Sequence, residues 1–353
     1  MAKIDRPVAA LQDVARRAGV GAATVSRVIN GGRNVSPSTL AAVTAVIKEL
    51  GYHPSHAARS LKGAKTKTIG LIVPSVADPF FASAAAAIQD VARLHGTLVL
   101  LATSNNDARN EREQITTLIQ RRIDGLILVP TDESDSDLLE ETGFPVICLD
   151  RPIKGKPVAT VLGDNYAGAK AATRHLVDHG YRRILCLGGD PTLFTSKRRF
   201  QGHKEVIRKA GLPYLADFHV MDYASAEAAV QAHLKGPAPI DAIFSTKNST
   251  TVYVYKILRE MGVRIPEQVG LLGYDDFELA DALDPPISVI RQPVTQLGTQ
   301  AAELLFQQMK QGADVSKPVT LGVELVRRGS CGCADLTAET DPERVFGDTA
   351  REM

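Results

Sequence analysis

The chain has 353 residues, too long for one small core and suited to two or three domains. Hydrophobic residues are 44% and charged residues 23%, ordinary globular usage that excludes disorder over the whole chain. The net charge is only +1, but residues 1–66 hold ten Lys and Arg against Asp5, Asp13 and Glu49, a net of +7, which leaves −6 for the rest.

The first 50 residues read as three short helices. Leu11, Val14, Ala15 and Ala18 fall on one face, and Gly19 supplies the turn. The segment Ala22 to Asn30 points Val25, Val28 and Ile29 inward, and Gly31-Gly32 stops it. Ser36-Pro37 opens a third helix whose Leu40, Val43, Ile47 and Leu50 share a face, and Gly51 closes it. Residues 52–67 read as a linker able to become helical, since a helix of six to eight residues is marginal alone.

From Thr68 short apolar runs alternate with helix-length segments. The runs are Ile69 to Val73, Leu98 to Leu101, Gly125 to Val129, Val146 to Leu149, Ile184 to Leu187, Ala242 to Ser245 and Val269 to Leu272. The helical segments are Phe81 to Leu94, Glu111 to Arg121, Ala167 to Asp178, Lys197 to Ala210, Ala226 to Leu234, Thr251 to Met261 and Val294 to Met309. Continuous apolar strands between helices imply parallel sheets covered on both faces, and this length implies two α/β lobes. No internal sequence repeat is found. The residues after Arg328 read as a poorly ordered acidic tail.

Cys148 and Cys186 lie inside apolar runs and read as small core hydrophobes. Cys331-Gly-Cys333 has metal-ligand chemistry, but no Cys or His cluster lies near it in sequence, so it reads as an exposed tail with no metal. No apolar run reaches the roughly 18 residues of a membrane helix, and no leader-like apolar stretch follows Lys3 and Arg6 before Asp13. A cytoplasmic protein is expected. There is no Walker loop, Gly-x-Ser-x-Gly, His-Glu-x-x-His or Gly-x-Gly-x-x-Gly motif, so neither an enzyme with catalytic residues nor a cofactor is expected. A transport binding protein, the other alternative, would lack the basic helical module.

Leu11 to Asn30 has the form of a helix-turn-helix: small Ala15 at the crossing, Gly19 in the turn, Val25 locking the second helix. Asp13-Val-Ala, Ala18-Gly-Val and Thr24-Val-Ser-Arg-Val-Ile-Asn30 resemble the LacI-type (LacI/GalR) family of bacterial transcriptional regulators. Gly51-Tyr-His-Pro-Ser with Ala58-Arg-Ser-Leu-Lys62 resembles that family's hinge. The resemblance continues through Gly163-Asp-Asn-Tyr-Ala-Gly168, Gly270-Leu-Leu-Gly-Tyr-Asp-Asp276 and Val326-Arg-Arg-Gly-Ser-Cys331, covering residues from about 10 to 331.

The resemblance implies an all-α helix-turn-helix head (residues 1–54), a hinge (55–67), a two-lobed periplasmic-binding-protein-like α/β core (68–331) and a tail (332–353). The amino lobe would take about 68–164 and 294–322, and the carboxyl lobe about 165–293 and 323–331. It implies a homodimer on a pseudo-palindromic double-stranded operator, with affinity changed by a small effector, a sugar or sugar acid. Ala22, Ala23 and Arg27 would face base edges, Arg27 as a fork for guanine and the alanines by apolar contact. Thr24, Ser26, Asn30 and Thr39 stand open between phosphate contacts and local caps. Ala57 and Ala58 would allow close approach in the minor groove, where Leu61 would wedge into a base step; the alternative is Leu61 packing on the core.

In the core, ligands are expected at the carboxyl ends of the strands. The candidates are Asp78, Phe80, Phe81, Asp150 (with Arg151 beside it), Thr195, Arg199, Lys247 (with Asn248) and Asp275. For one of the two phenylalanines a core role is equally open. Asp275 matches a position that binds sugar hydroxyls, and Asp276 reads as a helix cap. Lys247, where the family has Asn, suggests an anionic effector; the alternative is a lysine leaning out of the cleft.

Overall fold

The computed structural model describes residues 10–29, 34–52, 65–155, 157–311, 318–333 and 344–345. The chain divides into two compact units, Met1–Thr66 and Lys67–Met353.

The head is three helices: α1 (Leu11–Ala18), α2 (Ala22–Ile29) and α3 (Pro37–Leu50). Gly19 (φ 65°) and Gly51 (φ 57°) end α1 and α3 in the left-handed region, which glycine enters without a Cβ penalty. The Ser36 side chain caps α3 by accepting from the Thr39 N–H at 3.2 Å, with Pro37 in the first turn. Val14, Ala15, Val25, Val43 and Tyr52 form the core. Leu40, expected inside, is 40% exposed. It stands in the first turn of α3, where the inward face is not yet covered. The hinge residues 53–64 lie outside the described residues, as does Asn30.

The larger unit begins with β1 (Thr68–Val73), α4 (Pro79–Leu94), β2 (Leu98–Thr103), α5 (Ala108–Gln120), β3 (Leu126–Leu128), α6 (Ser136–Glu141), β4 (Val146–Leu149) and β5 (Thr160–Gly163). Next come α7 (Asn165–Asp178), β6 (Ile184–Leu187), α8 (Phe194–Lys209), β7 (Leu215–Asp217), α9 (Tyr223–Leu234), β8 (Ala242–Ser245), α10 (Asn248–Glu260), β9 (Gly270–Tyr274) and β10 (Ser288–Arg291). Then follow α11 (Val294–Gln311), β11 (Val319–Leu321), β12 (Val323–Val326), a 3₁₀ turn (Gly329–Cys331) and β13 (Arg344–Val345).

Two sheets result. The first has the order β11-β5-β4-β3-β1-β2 and is parallel throughout. The second has the order β13-β12-β10-β9-β8-β6-β7, parallel except at β12 and β13. Helices cover their faces: α4 and α11 close one face of the first around Leu71, Ile88, Ile147 and Leu305. α7 and α8 pack closely beside the second because Gly202 admits the α7 backbone; a Cβ there would lie 2.5 Å from the Tyr166 carbonyl oxygen. Cys148 and Cys186 are fully buried, as expected of small core hydrophobes.

Three expectations are corrected. Residues just after Arg328 are not a loose tail: Ser330 is fully buried, donates to the Leu271 carbonyl at 2.6 Å and accepts from the Ser288 N–H at 2.9 Å. Cys331 is fully buried too, and β13 pairs with β12. Asp276 caps no helix, because turns follow β9; its carboxylate instead takes Arg291 at 2.7 Å and Arg328 at 2.9 Å. Burial alone would raise its carboxyl, but hydrogen bonds from the two guanidiniums outweigh it and hold the group below the ordinary carboxylate range.

Candidate DNA-reading surface and effector cleft

On α2, Val25 is fully buried and fixes the helix to the head, while Ala22, Ala23 and Arg27 are exposed. Ala23 and Arg27 are one turn apart and share a face. Thr24 and Ser26 are half-buried on the same helix. Thr39 sits inside the cap of α3, where its hydroxyl accepts from Ser36 Oγ at 2.8 Å. Asp13 pairs with Arg16 at 3.7 Å and Glu49 with Arg17 at 2.8 Å, so both described head acids face other basic side chains than Arg27. Ala57, Ala58 and Leu61 lie outside the described residues.

In the core, a cleft of about 420 Å³ opens between the carboxyl ends of the two sheets' strands. All eight effector candidates line it: Asp78, Phe80 and Phe81 after β1, Asp150 after β4, Thr195 and Arg199 on α8, Lys247 after β8 and Asp275 after β9. Phe80 and Phe81 meet edge to face at 5.1 Å; both line the cleft and both also belong to the core of the first sheet.

The floor of the cleft is a buried charge cluster. Arg199 Nε donates to Asn165 Oδ1 at 2.7 Å, Nη1 donates to the Thr246 carbonyl at 2.6 Å, and Nη1 reaches Asp275 Oδ2 at 3.4 Å. Its guanidinium stacks over the Tyr274 ring, 3.7 Å from the centroid. Arg151 pairs with Asp150 at 3.4 Å and donates to Asn106 Oδ1 at 2.9 Å. Gln292 Nε2 donates to Asp275 Oδ1 at 2.7 Å.

Burial raises the Asp150 and Asp275 carboxyls against the pull of the guanidiniums. Burial opposes the Arg199 charge as well, but Asp275, Tyr274 and Asp150 outweigh it and hold that guanidinium above its ordinary value.

Lys247 is not an isolated cation. Its Nζ lies 3.4 Å from Asp78 Oδ2, and Asn248 Nδ2 donates to Asp78 Oδ1 at 3.2 Å. Asp78 thus caps α4, through the Phe80 N–H at 3.1 Å, and also faces the first residue of α10 across the cleft. The extra cation that suggested an anionic effector is therefore matched by the Asp78 carboxylate. Asn165, Tyr274 and Gln292 were not singled out from sequence. Asn165 and Tyr274 sit inside quoted family motifs, which was the available signal; Gln292 follows a strand the pattern does not reveal.

A helix-turn-helix unit in the same chain as a two-sheet unit with a cleft at its strand ends defines a ligand-responsive DNA-binding regulator. Residues 10–55 match "Bacterial regulatory proteins, lacI family", and residues 66–328 match "Periplasmic binding proteins and sugar binding domain of LacI family". A ribose operon repressor of Haemophilus influenzae is 32% identical over 328 residues, 92% of this chain and 98% of that protein. Two solved structures are similar. One is a CelR–cellobiose complex (31% identity, TM-score 0.69, 92% of this chain and 100% of that one). The other is a lac repressor dimer bound to operator and the anti-inducer ONPF (27%, TM-score 0.80, 92% and 99%). The chain belongs to the LacI family and is a DNA-binding transcriptional regulator.

Proposed function

We propose that this regulator is a cytoplasmic homodimeric repressor of carbohydrate genes, and that a neutral polyhydroxylated sugar in the cleft sets its operator affinity. The observation that carries the effector class is internal compensation. Arg199, Arg151 and Lys247 each face a carboxylate, Asp275, Asp150 and Asp78. Such a site offers donors and acceptors in alternation with little net charge, which suits hydroxyl groups better than a carboxylate or phosphate. The protein binds and releases its effector without transforming it. The relatives named for ribose and cellobiose support a sugar.

At the DNA, Arg27 reads a guanine, Ala22 and Ala23 give apolar contact, and Thr24 and Ser26 hold phosphates. Asn30 and Thr39 add backbone contacts, while Ala57, Ala58 and Leu61 act in the minor groove. A sugar changes lobe closure and through it the operator affinity, by a coupling free energy of about 1–3 kcal/mol.

Thermal-shift screening tests the effector class: neutral pentoses, hexoses and disaccharides should raise the melting temperature. Stabilisation by sugar acids or sugar phosphates alone would sink the neutral reading. Gel-shift titration on DNA selected from a genomic library tests the head. Arg27→Ala should weaken operator binding by about 1–3 kcal/mol and relax specificity at one base pair. Leu61→Ala should cut operator affinity with effector binding intact, and unchanged affinity removes the wedge.

A further inference from the structure

The end of α7 and the last described turn bring together side chains more than 150 residues apart in sequence. His175 lies in the last turn of α7, and His179, one turn further on, is the residue that caps its C-terminus. Opposite them, Gly332 takes φ 86°, a left-handed conformation that turns the chain back so that Cys331 and Cys333 present their sulfurs to the same side. His175 Nε2 lies 3.1 Å from Cys331 Sγ and 3.4 Å from Cys333 Sγ. His179 Nε2 lies 3.4 Å from Cys333 Sγ, and the two sulfurs are 3.4 Å apart. All four ligand atoms fall within 4.8 Å of one another.

We propose that His175, His179, Cys331 and Cys333 bind one zinc ion, a structural site that fastens the end of the core to α7. Two thiolates and two imidazoles are a donor set that suits tetrahedral Zn²⁺. Zn–S bonds of about 2.3 Å and Zn–N bonds of about 2.0–2.1 Å give tetrahedron edges of roughly 3.3–3.8 Å. The four closest approaches, 3.1–3.4 Å, fall at or a few tenths of an ångström below these edges, and the other two pairs lie within 4.8 Å, so small rotations of the side chains admit the ion.

The compactness of the set favours one ion over a two-iron cluster, whose ligands divide between two metals. Four protein donors complete the coordination and leave no position for a substrate, which makes the role structural. Outer support is already built: Ser288 Oγ lies 3.0 Å from Cys331 Sγ, and Ser330 anchors the turn to β9. On binding, each thiol gives its proton to solvent as its sulfur bonds the metal. The site is separate from the effector cleft. Asn165, which touches Arg199, opens α7, and the histidines lie about 15–20 Å further along the helix axis.

The test is elemental analysis of the tag-free full-length protein, purified with reductant and dialysed against metal-free buffer. About one zinc per chain is expected. His179→Ala, at an exposed position that leaves the core packing intact, should lower zinc retention at least about tenfold, and Cys331→Ser/Cys333→Ser should abolish it. Should the double variant fail to fold, wild-type protein decides. Chelation should lower its melting temperature, added zinc should restore it, and cobalt should give the intense visible bands of a tetrahedral thiolate site. Iron in place of zinc, a wild-type protein that neither holds zinc nor responds to it, or a Cys331–Cys333 disulfide in the non-reduced mass overturns the proposal.

Discussion

The two sheets of the core repeat one strand order, β2-β1-β3-β4-β5 and β7-β6-β8-β9-β10, yet they neutralise charge differently. At equivalent strand ends stand Asp150 (φ 68°) and Asp275 (φ 69°), both in the left-handed region. Each N–H donates to the neighbouring strand, Asp150 to Val161 at 2.9 Å and Asp275 to Ile290 at 2.8 Å. Such backbone costs about 1–3 kcal/mol and persists where the surroundings over-determine it. Asp150 takes its guanidinium from the next residue, Arg151. Asp275 takes it from Arg199, which Asn165, Thr246 and Tyr274 hold in place. A repeat can therefore live in backbone geometry while residue identities diverge, and the tertiary solution depends more on the whole lobe.

The largest test of that difference is the arginine pair. Arg199→Met strips Asp275 of its near cation and leaves a buried carboxylate exposed to the full desolvation penalty. Urea unfolding should show a loss of about 3–5 kcal/mol, with effector binding gone. Arg151→Met should cost about half as much, because Arg199 also acts on Asp150. Equal losses would mean that the two strand ends are energetically alike.

The lobes should also answer pH with opposite signs. His203, beside the second sheet, is fully buried; Thr173 donates to the Ala169 carbonyl, so its oxygen accepts from His203 Nδ1 at 3.0 Å. Burial lowers this imidazole from 6.5 to about 3. The folded protein keeps it neutral while the unfolded chain takes a proton, so its contribution is intact above pH 6.5. Between pH 6.5 and 3 it is lost at about 1.4 kcal/mol per pH unit.

Glu111, beside the first sheet, accepts from the Thr131 N–H at 2.6 Å and from the Ser134 hydroxyl, and burial raises its carboxyl above 4.5. Its contribution is present at low pH and is lost as pH rises from 4.5 through the folded value. In stability measured from pH 7 to 4, His203→Gln should flatten the acid loss and Glu111→Gln should steepen it. Changes of the same sign would remove the contrast.

The smallest effect belongs to the contact that joins the two halves. Lys247 is 53% exposed on its side chain, so its pairing with Asp78 is screened. Lys247→Met should change stability by less than about 1 kcal/mol. If it shifts sugar affinity, read by calorimetry, the Asp78–Lys247 pair takes part in closure.

Three strands deep in the sheets were legible because both faces are covered: Val146–Leu149, Ile184–Leu187 and Ala242–Ser245 coincide with their apolar runs, whereas β5, equally buried, was missed, the ends of its four residues being Thr160 and Gly163. β7 and β11 were not, being three-residue edge strands with half-exposed side chains, and β10 hides between Pro286 and Arg291. Most predicted helix starts fell about three residues late. The first turns carry caps such as Asp107, Asp164 and Asp222 rather than core residues, so the apolar period begins inside the helix. The cleft was legible wherever a candidate directly follows a strand. Partners from elsewhere were not, because pairing across the fold leaves no spacing to read. The sulfur and imidazole cluster is the extreme case, two weak half-motifs that only the fold unites.

The chain passes between the two sheets three times, after Gly163, near Gln292 and at Gly322. The passages run side by side: Asp164 N–H donates to the Leu321 carbonyl at 2.9 Å, and a Cβ on Gly163 would collide with the Gln292 amide oxygen. Each half of the core is consequently assembled from separated stretches of chain. During synthesis the first sheet cannot take its outermost strand until residue 321 has left the ribosome, after nearly all of the second sheet has emerged. The two halves are thus committed to maturing together, and no contiguous fragment carries either one whole without elements of the other.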